Sequence, residues 1–458
     1  MSATGPLLIG VDVGTTRIKA GVIDLDGSEL AHTSQPTVWT PRQTGAEARP
    51  ADFSASVERA LAALLPAAPA GVIAGVGITS MAETAVLIGP GGEALGPAIA
   101  WYDNRAQADM AEMEAALTRE TIGHVTGLDA KPIPTVVALR FLMRTEPDLR
   151  RATRVLSVAE WIAYRLTGTA ASERSLASRT GALAILAGRW WPDVIEWAGL
   201  SPALFAELLP AGSSWGRIEA PPPGLERLRG AAVTVAGHDH LVAAIGSGIT
   251  GSSQVMDSCG TAEAVMRAVP ADAPHDPADG LASAIATGWH ALPGFHCLLA
   301  GLPLGIELTP LLEQLGATHS SGRTSLDAGA LATLDSGRSS DQPDTPAAKW
   351  LRAVRGTVDR AAAARRELER LGPGPIEEMR LSGGWASNPV LRRLKDAESP
   401  QLPVYPHVTE AGVRGAGLMA GIAAGTFASV DRFPAPATST GPQQPATAGT
   451  APPHQLQT

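Results

Sequence analysis

Cysteine is nearly missing from this 458-residue chain: Cys259 and Cys297 are the two present. Two thiols make neither a disulfide framework nor a thiolate zinc site, so both are expected to be buried, reduced residues of a cytosolic protein. Rings are scarce too, with three tyrosines and six phenylalanines, and no block of basic residues offsets a net charge of −9. Both features argue against a nucleic-acid partner. No apolar run reaches the roughly 18 residues of a membrane span. The first residues form neither a basic n-region nor an apolar h-region, so the expectation is a cytoplasmic protein with no membrane partner. Neither GxxxxGKS nor GxxxxGKT occurs, so a nucleotide would not be held by a P-loop.

Two look-alike motifs fail on context. Gly246-Ser247-Gly248-Ile249-Thr250-Gly251 follows a helical run and opens no helix, whereas a dinucleotide fingerprint needs a strand before it and a helix after it. Gly212-Ser213-Ser214-Trp215-Gly216 lies between loops rather than at the strand-to-helix elbow of a hydrolase.

What is present suits a soluble α/β protein, with 45% hydrophobic and 18% charged residues. The length exceeds the roughly 250–300 residues at which one core stops growing, so two large domains with a cleft between them are expected. We place them at residues 1–243 and 244–433. Residues 434–458 are mostly Pro, Ala, Thr, Gln and Gly and form an expected disordered tail.

Residues 7–26 read as a hairpin. Leu7, Leu8, Ile9 and Val11 form one apolar run, Ile18, Ala20, Val22 and Ile23 another, and Asp12, Gly14, Thr15, Thr16 and Lys19 lie between or beside them. A glycine at the bend lets backbone N–H groups approach a phosphate. The hydroxyls and lysine are phosphate donors, and Asp12 is a hard oxygen ligand for Mg²⁺. On its own the motif also fits an ordinary hairpin. A second copy of the order strand, acid, glycine, threonine, strand starts at Gln254 and carries Asp257, Gly260 and Thr261. Two such hairpins facing each other could clamp a triphosphate.

Other polar clusters follow strands. Met81, Ala82, Glu83 and Thr84 come after the apolar run 72–78, and Trp101, Asp103 and Arg105 after the run 97–101. Open α/β sheets bind ligands at such strand ends. The strand 233–236 ends in Gly237-His238-Asp239-His240. The two histidines could ligate a metal, but no third ligand is suggested nearby, and we read them as neighbours of a catalytic carboxylate. Helices are expected over residues 51–65, after the Ser157/Glu160 capping box, and from Thr345-Pro346 to Gly372. Gly383 and Gly384, followed by Asn388, lie between a strand and a helix and could admit a planar ligand. The Ala/Gly-rich helix 410–421 is expected to pack close to that loop.

Taken together, GVDVGTTRIKAGVID, SMAET, AWYDNR, GHDH, DSCGTAEAV and LSGGWASNPVLRR resemble, in order and spacing, the FGGY carbohydrate kinases. The resemblance covers residues 7–425. It implies two ribonuclease-H-like, actin-type ATPase domains with an interdomain active site, ATP and Mg²⁺ as cofactors, and a sugar or polyol substrate, most readily a ketose. It also implies roles: Asp12 near the metal; Gly14, Thr15, Thr16 and Lys19 at the phosphates; Gly260 and Thr261 as the second phosphate hairpin. Gly383, Gly384 and Asn388 would flank adenosine. Met81, Ala82, Glu83, Trp101, Asp103 and Arg105 would line the sugar pocket, with Asp239 as the base. The family comparison leaves room for a homodimer. Ala82-Glu83 stands where pentulose kinases have histidine and is closer to glycerol kinases. A lysine usual before the mid-domain helix is absent around Ala138, and residues 316–344 look shortened. An actin- or chaperone-like ATPase, or a silent sugar sensor, is the alternative reading.

Overall fold

The computed structural model describes residues 5–129, 133–336, 345–399 and 403–440. Strand Leu7–Val13 is buried along almost its whole length, Asp12 being the partial exception. An apolar run buried on both faces belongs in the middle of a covered sheet, and that is its place. It is the third of five strands ordered Ala232–His238, Ile73–Ser80, Leu7–Val13, Arg17–Ile23 and Glu29–Pro36. The first three run parallel and the last two antiparallel. Register aligns Val13 and His238 with Ser80. Three parallel strands therefore end together, and residues 12–15, 81–84 and 239–240 meet at one sheet edge.

The second half repeats this plan. Gln254–Cys259 forms a hairpin with Glu263–Pro270, which pairs antiparallel with Phe295–Leu302. On the other side Glu378–Ser382 and then Val404–Pro406 add in parallel. Ile285–Trp289 and Thr438–Thr440 close the two edges of this seven-stranded sheet. One face packs on the 26-residue helix Pro346–Leu371, through Leu351, Val354, Val358, Ala361 and Leu368, as the sequence spacing implied. Thr345 caps that helix and Ser157/Glu160 forms the expected capping box. The run 97–101 is strand only over Ala98–Ile99.

Helix Ala411–Ala423 corrects one expectation. Its small residues do not serve the loop around Gly383; they bring its backbone against the first sheet. A Cβ on Gly10 would lie 1.8 Å from the Val413 carbonyl oxygen, and one on Gly77 would lie 1.9 Å from that of Ala416. The same helix crosses Asp239–Gly246 equally closely: a Cβ on Gly415 would sit 2.0 Å from the Val242 oxygen. Only glycine permits such contact. The helix, late in the chain, thus packs on the sheet that opens it, and the expected boundary at 243/244 falls inside Asp239–Gly246.

The expected tail also begins too early. Residues 434–440 lie on the second sheet: Pro434 O accepts from Arg414 Nη2 at 2.5 Å, Ala437 O accepts from His407 N at 2.7 Å, and Thr438–Thr440 pairs with Val404–Pro406. Backbone pairing of this kind needs no apolar side chains, so composition did not announce it. Residues 441–458 lie outside the described residues, as does 337–344 of the shortened segment. Among the described residues no helix is long and apolar enough to cross a membrane.

Candidate active site

Both expected hairpins form. Gly14 N donates to Arg17 O at 3.1 Å across the first bend, and Gly260 N to Ser258 O at 3.1 Å at the second. Asp12 ends up buried beside the first bend. Burial, reinforced by the charge of Asp239, pushes its carboxyl up to about 7 despite Lys19. Its Oδ1 is buried with no hydrogen-bond partner. A buried, unanswered carboxylate oxygen is what a hard divalent cation would complete, so the residue fits the Mg²⁺ expected there. Lys19, expected at the phosphates, pairs instead with Glu410, Nζ to Oε2 at 2.6 Å. Thr16 is exposed on the bend.

A cleft of about 190 Å³ opens at the shared strand edge. Thr15, Met81, Glu83, Trp101, Arg179 and Asp239 line it from one side, with Ala82 and both histidines; Ala262, Ala264 and Leu299 line it from the other. Trp101 Nε1 donates to Thr15 Oγ1 at 2.9 Å, so the indole that offers the cleft an apolar face also holds the first hairpin. Asp239 is the first residue of its helix. Its Oδ1 accepts from His240 N at 2.7 Å and lies 3.3 Å from His238 Nε2. Burial raises the Asp239 carboxyl, and His240 draws it back. Burial also drives His238 well below its ordinary range, so its imidazole is neutral.

Asp103 and Arg105 take a different place from the expected one. The Asp103 carboxylate accepts from Thr44 Oγ1 (2.9 Å), Arg105 N (2.8 Å) and Arg105 Nη2 (2.7 Å). Arg105 Nη1 reaches Glu47 at 2.6 Å. Burial opposes the Asp103 charge, but these donors outweigh it and hold the carboxyl below its usual range. Neither side chain lines the cleft; the pair locks the loop that carries Trp101.

A second cleft, of about 610 Å³, lies between the second hairpin and the loop after Glu378–Ser382. Gly260, Thr261, Gly384 and Asn388 border it, with Trp350 and Trp385. Gly383 sits behind it at φ +89°, where a Cβ would come 2.4 Å from Cys259 O. Asn388 is committed to structure: Oδ1 caps Pro389–Glu398 at Leu391 N (2.9 Å), and Nδ2 donates to both Asp327 oxygens at 3.0 Å. Trp350 Nε1 donates to the same carboxylate at 2.7 Å.

The second hairpin borders both clefts, Gly260 and Thr261 facing the larger, Ala262 to Ala264 the smaller. Beneath its bend lies Lys395, whose buried ammonium contacts Asp257 Oδ2 and Glu263 Oε1, the latter at 2.6 Å. Burial works against that charge, but the two carboxylates hold the lysine protonated, well above its ordinary range. Asp257, Cys259 and Glu263 stand close enough to share a metal ion, but the ammonium already occupies their centre. Both cysteines are buried and unpaired.

Sequence reasoning missed Arg179, Asp327 and Lys395. Lys395 left a trace, since it shares its helix's inward face with Leu391 and Leu394. Arg179 left none: it reaches Glu83 across 96 residues.

Residues 7–246, more than half of the chain, match the family described as "FGGY family of carbohydrate kinases, N-terminal domain". The chain belongs to the FGGY carbohydrate kinases. It is 28% identical to a glycerol kinase of Aromatoleum aromaticum over 474 aligned positions, covering 93% of this chain and 92% of that protein. With a xylulose kinase of Escherichia coli it shares 29% identity over 56% of this chain and 53% of the other. The crystal structure of a xylulose kinase from Rhodospirillum rubrum superposes with a TM-score of 0.84 at 22% identity, over 95% of this chain and 93% of that one. The protein is therefore an ATP-dependent carbohydrate kinase with the two-domain actin-type fold, which sets aside both the chaperone-like ATPase and the silent sensor.

Replacing Lys395 by Met should leave Asp257 and Glu263 buried without their cation and lower stability by about 3–5 kcal/mol at neutral pH. The deficit should shrink as pH falls and the two carboxyls take up protons. Denaturant unfolding of both proteins across pH checks this; equal stability at pH 8 would contradict it.

Proposed function

We propose that this kinase transfers the γ-phosphate of ATP to a hydroxyl of a ketose or related polyol, with Asp239 as the general base. The observation that carries the reading is the hairpin shared by the two clefts. A nucleotide in the larger cleft would meet Gly260 and Thr261, and an acceptor in the smaller one would sit against Ala262 on the same bend, beside Asp239. Phosphoryl transfer asks chiefly for such positioning and for charge stabilisation. Relatives named glycerol kinase and xylulose kinase support a polyol or ketose as the acceptor.

Asp239 suits the base role because its carboxylate is at the cleft and its oxygen is turned by His240 N rather than used to cap a helix end. It would accept the hydroxyl proton as the new O–P bond forms. Asp12 would hold Mg²⁺, which when bound neutralises charge on the phosphate oxygens. Trp101 would cover the carbon skeleton, and Gly384 leaves open space for the adenine. Gly14 and Thr15 would close on the phosphates from the first domain, taken as residues 1–243, and the adenosine side would belong to 244–433.

The direct test is an ADP-release screen of the purified protein against ketoses, alditols and cyclitols; silence with all of them would refute the assignment. Asp239→Asn should then lower kcat by about 10²- to 10⁴-fold, with ATP and acceptor affinities changing far less. Parental turnover in a folded Asp239→Asn protein would remove the base.

The raised Asp12 carboxyl gives a second outcome. Protonation favours the folded state fully below the ordinary carboxyl range, and that contribution is lost as pH rises through about 7. Asp12→Asn should therefore be more stable than the parent at pH 8 without Mg²⁺, by about 2 kcal/mol, and nearly equal to it at pH 4.5. Adding Mg²⁺ with ATP at pH 8 should raise the melting temperature of the parent more than that of the variant. Equal responses would place the cation elsewhere.

A further inference from the structure

We propose that Glu83 and Arg179 act as one recognition unit for two adjacent hydroxyls of a neutral acceptor, and that their mutual neutralisation turns sugar acids away. This rests on reading the smaller cleft as the acceptor site.

Arg179 is the one arginine or lysine among the described residues that line the cleft. Its Nε and Nη2 both lie 2.7 Å from Glu83 Oε1. Both contacts converge on a single oxygen, so among the described residues no donor reaches Glu83 Oε2, and Arg179 Nη1 meets no acceptor. The side chains keep 7% and 15% of their exposure, respectively, and both line the cleft. An open carboxylate oxygen and an open guanidinium N–H thus stand side by side. One hydroxyl could donate to Oε2 while its neighbour accepts from Nη1, a pattern that a vicinal diol meets and an isolated hydroxyl does not.

The backbone supports a role beyond packing. Glu83 has φ +61°, a left-handed conformation that costs a non-glycine residue energy and persists where its surroundings enforce it. Thr135 Oγ1 holds the Glu83 carbonyl at 2.9 Å, and Thr84 N closes on Ala82 O at 2.8 Å. The strain aims one carboxylate at the cleft. Leu, Val or Ile would have sufficed had the position only to fill a core.

Charge sets the class of acceptor. The Glu83–Arg179 pair sums to zero, and the neighbouring Asp239 leaves that wall of the cleft negative. Glu263 borders the cleft too, but its carboxylate is turned to Lys395 on the opposite side of the sheet. An aldonate would find the guanidinium already answered and an unpaired carboxylate beside it. Discrimination built on leaving a buried polar group unpaired is steep.

The test uses the full-length protein, ATP-Mg²⁺, D-xylulose (or the fastest neutral acceptor of the ADP-release screen) and the aldonic acid of the same carbon number. The parent should favour the neutral acceptor by at least about 100-fold in kcat/KM. Arg179→Met should raise the acceptor KM by about 10- to 100-fold and leave the KM for ATP within about twofold, since one hydrogen bond to a charged group is lost on one substrate only. Glu83→Gln frees the guanidinium and should narrow the neutral-to-acid preference by about tenfold or more. Should Arg179→Met fail to fold, Arg179→Lys, which keeps the charge without the fork, and Glu83→Gln decide the matter. A parent that turns over the aldonate as fast as the neutral sugar overturns the proposal. So do folded variants whose acceptor KM and preference stay parental, while kinase activity on neutral sugars leaves the acceptor-site reading intact. No turnover and no thermal shift with any acceptor in the parent overturns both.

Discussion

One buried ammonium fixes the geometry on which both clefts depend. Lys395 reaches from Pro389–Glu398 to a carboxylate on each strand of the second hairpin, Asp257 on one and Glu263 on the other. The bend between those strands borders both clefts. The same helix is capped by Asn388, which with Asp327 and Trp350 shapes the wall of the larger cleft. Burying three charges is costly unless each is answered. Here the ammonium answers both carboxylates, and the hairpin and nucleotide wall become one rigid piece.

The two hairpins solve a similar problem in opposite ways. Each places an aspartate two or three residues before the bend glycine, and each aspartate is buried. Asp257 is satisfied from within by Lys395. Asp12 is left with an unpartnered oxygen and a carboxyl pushed up to about 7. The first arrangement yields a stable support, the second a site that gains from an external cation. Glycine contacts hold the two halves in register: Ala411–Ala423 lies with its backbone against Gly10 and Gly77, and it crosses Asp239–Gly246 just behind the base.

Much of this was legible in the sequence, for identifiable reasons. The hairpins show because apolar runs flanking a glycine bend are a local pattern, and Pro346–Leu371 shows because its apolar face recurs at helical spacing over many turns. Strand-end loops could be found but not sorted. Asp103-Asn104-Arg105 and Met81-Ala82-Glu83 look alike in sequence, yet in the structure Thr44 and Glu47 tie the first set into a closed network, and Glu83 faces the cleft. The small residues of Ala411–Ala423 announced close packing without naming the partner, because backbone contact carries no side-chain signature. Arg179 was out of reach altogether, since only the tertiary fold brings it to Glu83. The same holds for residues 434–440, which join a sheet through main-chain hydrogen bonds alone.

The central claim is that the second hairpin is the surface over which phosphate passes. The most direct measurement is ATP affinity of a folded Gly260→Val protein, by calorimetric titration alongside its melting temperature. A Cβ at Gly260 meets only Ala262 O, at 3.1 Å, so the fold should survive, while the branched side chain occupies the space where phosphate would meet backbone. ATP affinity should fall by about tenfold or more with a near-parental melting temperature. Parental affinity in the folded variant would contradict the account.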